Sequence, residues 1–141
     1  MKIMICGSMH FAKDMMETKK KLEELGHDAE VPCDTQMFID DPNFTTDNHE
    51  ENHKHCQEND IIRTCFNEIE NRDAILVLNL PKNGVDGYVG ASSFMEIGLA
   101  YHFRKKIFLL HPPPKVEDAK SSHEIIVMQP TILDGDLSKI A

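Results

Sequence analysis

Three short runs of this sequence are apolar at every position: Ile3-Met4-Ile5-Cys6, Ala74-Ile75-Leu76-Val77-Leu78 and Ile107-Phe108-Leu109-Leu110. Each is too short for a buried helix, and turn residues follow each of them, Gly7-Ser8, Pro81 and His111-Pro112-Pro113-Pro114. A strand with one wet face alternates apolar and polar residues. A strand that does not alternate is covered on both faces, the usual state in a parallel sheet. Helical spacing fills the intervals. Phe11, Met15, Leu22 and Leu25 mark a first helix ended by Gly26, and His27 to Val31 reads as a further strand closed by Pro32. Ile61, Ile62, Cys65, Phe66 and Ile69 mark a second helix with Asn59 or Asp60 as its cap. Phe94, Ile97, Gly98 and Tyr101 mark the inner face of a third, with Gly98 leaving room for close packing on a strand. Shorter apolar stretches follow at Ile125-Ile126-Val127 and Thr131-Ile132-Leu133. Strands alternating with helices give an α/β fold, a single-domain open, mostly parallel sheet with helices on both faces (Rossmann/flavodoxin-like).

The chain of 141 residues fits one domain, residues 1–141, interrupted by a polar insertion at about 33–58 that is rich in Asp, Asn, His and Glu. No apolar run approaches the ~18 residues of a membrane span, and Lys2 leads straight into a strand with no signal-peptide pattern. Cys6, Cys33, Cys56 and Cys65 form no C-x-x-C pair; Cys6 and Cys65 fall on apolar faces and read as small core residues. These features lead us to expect a reduced, cytoplasmic protein with no membrane partner. Fifteen basic residues against 24 acidic ones give a net charge of −9. That average repels a nucleic acid polymer, but a single phosphate needs only a local site. Much of the acidity falls in the insertion and the tail, which we expect to lie away from the ligand crevice.

In an open parallel sheet the ligand binds beyond the carboxyl ends of the strands. The loops after Cys6, Leu78 and Leu110 are therefore the places to search. The middle one carries Gly84, Gly87 and Gly90 but matches neither the dinucleotide fingerprint nor a P-loop. It ends in Gly90-Ala91-Ser92-Ser93 at a helix start, where free N–H groups and two hydroxyls suit an anion; a serine capping the helix is the structural alternative. Gly7 and Ser8 offer backbone N–H groups and a hydroxyl to the same crevice, or Ser8 simply caps the first helix. His10 lies close by in sequence, but no mechanism is built on it. Glu96 lies one turn beyond Ser92 and shares its face, aimed at the ligand edge of the sheet.

The strand running into Gly7-Ser8, the segment from Asp73 through Asn79, the Gly-rich loop, Ser93-Phe94-Met95-Glu96-Ile97-Gly98-Leu99-Ala100 and Lys106 through Leu110 together resemble the nucleoside 2-deoxyribosyltransferase-like superfamily. That superfamily includes transferases that exchange bases on deoxyribose and hydrolases that release the base from nucleoside 5′-monophosphates. The resemblance implies that Glu96 is the nucleophile, attacking the anomeric carbon and passing the sugar to water or to a second base. A carboxylate suits that step, because it stabilises an oxocarbenium-like transition state and splits one displacement into two.

Asn79 stands where many members carry an aspartate that assists at the base or orients the sugar, and Asp86 is the acid in the loop that would substitute for it. Met9-His10-Phe11 occupy the place of a sugar-contacting tyrosine, which leaves Tyr88 as the nearest hydroxyl to Glu96. The catalytic candidates are thus Glu96, Tyr88 and Asn79; Gly7, Ser8, Asp86, Gly90, Ser92 and Ser93 are the candidates for substrate binding. His49, His53, His55 and Cys56 lack zinc-finger spacing and any H-E-x-x-H, so we expect no metal and no cofactor, and we read the insertion as a solvated loop suited to act as a lid. The expected ligand is a small-molecule nucleoside or, given Ser92-Ser93, a nucleoside 5′-monophosphate. The resemblance also implies a homodimer or a higher homo-oligomer. A non-catalytic nucleotide-binding or sensing module is the alternative, motivated by Asn79.

Overall fold

A computed structural model describes residues Met1–Ala141. The three apolar runs form β1 (Lys2–Cys6), β3 (Ala74–Val77) and β4 (Lys106–Leu109), with β2 (Asp28–Glu30) and β5 (Thr131–Ile132) at the edges. The sheet has five strands, all parallel, in the order β2-β1-β3-β4-β5. This is the flavodoxin-like order, in which the chain reverses its direction of winding between β1 and β3. The helices are α1 (Ala12–Glu24), α2 (Thr35–Asp40), α3 (His49–Glu58), α4 (Ile61–Glu70), α5 (Ala91–His102) and α6 (Ser122–Val127). None is long and apolar enough to cross a membrane.

The absence of alternation in the strands has the expected cause. Ile3, Ile5, Leu76 and Phe108 pack on one face with Met15 and Leu22 of α1; Met4, Cys6, Ile75, Val77 and Leu109 pack on the other with Cys65 and Ile69 of α4 and Ile97 of α5. β1, β3 and β4 thus each feed two cores, and burying each large aliphatic side chain stabilises the fold by about 1.5–3 kcal/mol. Cys6 and Cys65 are both buried in the second core, as their apolar settings suggested.

Two features differ from the sequence expectations. Residues 33–58 are not an unstructured insertion, since α2 and α3 lie within it. No apolar period marks α3, whose mean composition is polar and which buries no residue fully; it is held by Asn48 at its N-cap, by Phe38 of α2 against His55, and by contacts with α4. The inner face of α5 is Ser93, Glu96, Ile97 and Ala100, one position out of phase with Phe94-Ile97-Gly98-Tyr101. Tyr101 is 55% exposed, and a Cβ at Gly98 would meet open space, so that glycine serves no close packing. The phase was misjudged because two inward-facing positions of this helix carry polar side chains.

Candidate functional site

The carboxyl ends of β1 and β3 open on a cavity of about 570 Å³ at the winding reversal. It is walled by Gly7, Ser8 and Met9 after β1, Lys82 and Tyr88 of the Gly-rich loop, and Gly90 to Ser93, Met95 and Glu96 at the start of α5. Its remaining side comes from the polar segment: Pro32, Asp34, Phe38, His49, Asn52, His53 and Cys56, with Cys65 of α4 beneath. The acidic insertion was expected away from the crevice; it instead contributes a wall and a carboxylate.

Glu96 is 7% exposed, and its Oε2 has no hydrogen-bond partner. Burial pushes its carboxyl from an ordinary 4.5 up to about 7, opposed only in part by the Cys6 thiol beside it. Such a group has given up its water for one weak thiol donor and keeps an unpartnered oxygen, an arrangement found where a charge is awaited rather than already met. The thiols around it are not nucleophiles. Burial, followed by the charge of Glu96, raises Cys6 strongly, and the same two causes lead those that hold Cys65 at about 12.

Gly90, with extended backbone, is the N-cap of α5, and no side chain caps the helix. Neither serine therefore takes the capping role, which leaves the first-turn N–H groups facing the cavity that Ser92 and Ser93 line. Ser8 does cap, accepting from the N–H of His10 at 3.2 Å in the 3-10 turn Met9–Phe11. The same Ser8 Oγ accepts from Lys82 Nζ at 3.1 Å, and Lys82 also lies 5.3 Å from the centre of the Tyr88 ring. Lys82 brings a positive charge to the mouth of the cavity beside the free end of α5. Sequence reasoning did not single it out, although it lies within the Gly-rich loop; only the fold of that loop brings it across to Ser8. Gly7 has φ +155, and a Cβ there would press to 3.0 Å from Met15 Cε and 3.2 Å from the Leu78 carbonyl, so glycine lets the end of β1 lie close to β3.

Two candidates fall elsewhere. Asn79 is fully buried and does not line the cavity. Its Nδ2 donates to the carbonyl of His111 at 2.7 Å and more weakly to those of Pro112 and Gly87, while its Oδ1 accepts from the N–H of His111 at 2.9 Å. Asn79 is therefore a clasp between the β3 and β4 loops, and an amide serves there because the clasp needs both a donor and an acceptor. Gly87 packs so tightly on Pro112, at φ +69, that any Cβ would clash with its carbonyl. Asp86 is exposed and outside the cavity, since the loop turns it to solvent. His10 is exposed and likewise outside it.

Asp34, not singled out from the sequence, lines the cavity from the polar segment. It is 8% exposed; its Oδ2 accepts from His55 Nε2 at 3.0 Å, and its Oδ1 is buried without a partner. His55 is seated between Phe38 and Phe44, at ring-centre distances of 6.5 and 5.1 Å. Its Nδ1 faces the Asn59 amide at 3.3 Å, which places the ring proton on Nε2, toward Asp34. The histidines thus have different uses: His55 anchors α3, while His49 and His53 border the cavity.

The chain is thus an α/β protein with a five-stranded, all-parallel sheet of flavodoxin-like order, and a desolvated carboxylate and an uncapped helix N-terminus meet in the cavity at its winding reversal. The chain matches no protein-family model, and no curated protein matches it significantly.

Proposed function

We propose that this protein cleaves or transfers the N-glycosidic bond of a nucleoside 5′-monophosphate, with Glu96 as the nucleophile. The observation that carries this reading is the buried, unpartnered Glu96 carboxyl at the floor of the cavity. A carboxylate in that state is stabilised by the positive charge that develops on the sugar as the base departs, an interaction that is stronger in the transition state than with the neutral sugar. Attack at the anomeric carbon forms a glycosyl ester as the base leaves, and water or a second base then takes the sugar. The phosphate fits one helical turn away from Glu96, against Lys82, Ser8 and the uncapped first turn of α5. Tyr88, with Lys82 over its ring, offers its hydroxyl along the same wall.

The resemblance to the nucleoside 2-deoxyribosyltransferase-like superfamily supports this reading at Gly7-Ser8 and at the Glu96 helix. Asn79 no longer argues for a non-catalytic nucleotide-sensing module, because its amide is occupied as a clasp. A cytoplasmic setting belongs to the same proposal and agrees with four free cysteines. So does a homodimer, for which the exposed Ile62 and Met95 at the cavity mouth supply apolar surface. The test is free base followed by chromatography, with a panel of nucleosides and their 5′-monophosphates. Wild-type protein should release base and the folded Glu96→Ala variant should not; full activity in that variant, or tight binding without release by wild type, would overturn the assignment.

A further inference from the structure

The cavity holds two carboxylate oxygens that are buried and have no partner, Glu96 Oε2 and Asp34 Oδ1. Glu96 is accounted for by the sugar chemistry; Asp34 is not. Leaving such an oxygen unpaired costs stability, and a bound ligand that donates to it is what would recover that cost. The position is also built with care. Asp34 precedes α2, its other oxygen is fixed by His55, and His55 is held by two phenylalanine rings and by Asn59. A loose surface carboxylate needs none of this support, whereas a group that must present one lone pair in one direction does.

We propose that Asp34 is the residue that reads the nucleobase, and that it selects bases carrying an exocyclic amino group. This inference rests on the nucleotide reading of the cavity. With Oδ2 occupied by His55, Asp34 offers a single acceptor atom. An amino group projects beyond the ring edge of adenine, cytosine or guanine and donates each N–H to such an atom with at most one ring-nitrogen lone pair alongside. The ring N–H of thymine or uracil lies between two carbonyl oxygens, which would face the carboxylate at close range. A site that depends on hydrogen bonding to a donor discriminates strongly against an analogue lacking it, because its own buried group is then left unpaired.

The experiment compares the 5′-monophosphates of 2′-deoxyadenosine and 2′-deoxycytidine with those of their counterparts without the amino group, purine and 2-pyrimidinone deoxyribosides. Binding is measured by calorimetry on the Glu96→Ala protein, which prevents turnover, and base release is measured on wild type. The amino compounds should bind at least about tenfold more tightly, and Asp34→Ala, added to the Glu96→Ala background, should reduce that ratio to about twofold or less. Equal binding of the paired compounds, or an unchanged ratio after Asp34→Ala, would overturn the inference. If Asp34→Ala does not fold, His55→Phe replaces it; this keeps the aromatic packing while removing the tether, and the ratio must fall. An intact amino preference with no base release from any nucleotide would refute the role of Glu96 and leave that of Asp34 standing.

Discussion

The Cys6 thiol at the end of β1 and the Glu96 carboxyl on α5 face each other, and the thiol offsets only part of what burial costs that carboxylate. The consequence is a glutamate poised near neutrality, with its charge available to a ligand rather than spent on the protein. Its position at the winding reversal of the sheet puts it in the wall of the cavity.

Base release should therefore follow the ionisation of Glu96. A nucleophile must be deprotonated, so kcat/KM should be nearly constant above about pH 7 and fall with unit slope below it. A pH–rate profile of wild type checks this. Cys6→Ala removes the thiol that favours the charged form, so its profile should break at a higher pH than that of wild type.

The same ionisation should appear in stability, with the opposite sign to an ordinary salt-bridged carboxylate. Between 4.5 and about 7 the unfolded chain has released the Glu96 proton while the folded chain retains it, so stability falls as pH rises through that window. The full span corresponds to about 3 kcal/mol. Glu96→Gln should consequently be inactive yet more stable than wild type above pH 7, by up to about that amount, with the advantage fading toward pH 4.5. Urea denaturation at several pH values reads both proteins.

Asn79→Asp restores the acid that resemblance leads one to expect at the end of β3, and it should do harm. The new carboxylate would lose the donor to the His111 carbonyl and point an anion at that oxygen, fully buried. A loss of about 3–5 kcal/mol is expected, the range for leaving a buried charge without compensation, and thermal unfolding should show it as a clearly lowered Tm.

Lys82→Ala should separate phosphate recognition from chemistry. KM for a nucleoside 5′-monophosphate should rise about tenfold, the equivalent of one charge-assisted hydrogen bond, while turnover of the corresponding nucleoside changes little. Steady-state kinetics on the matched pair make the comparison.

The sheet was legible because Ile75, Leu76 and their neighbours are apolar without interruption, and only burial on both faces produces that pattern. Glu96 and its helix were legible through the residues of α5 and the loop before it. The orientation of that helix was not, since Ser93 and Glu96 turn inward toward a cavity, and an apolar periodicity counts inward polar residues as outward. Asp34 and Lys82 escaped for a different reason. Each acts through a partner distant in sequence, His55 for Asp34 and Ser8 for Lys82, and no local spacing encodes such pairs. Asn79 drew attention only through the resemblance, as the residue standing where many members carry an aspartate, but its role depends on the loop after β4, which only the fold brings within reach.

The most direct measurement is a search for the glycosyl ester itself. Incubation with a 2′-fluoro nucleoside 5′-monophosphate slows breakdown of such an ester, because the fluorine destabilises the oxocarbenium-like transition state. Peptide mass spectrometry should then find the sugar phosphate attached to the segment Ala91–His102, on Glu96, with one equivalent of base released. Release of base with no adduct, or with the adduct on another residue, would contradict the assignment of Glu96 as nucleophile.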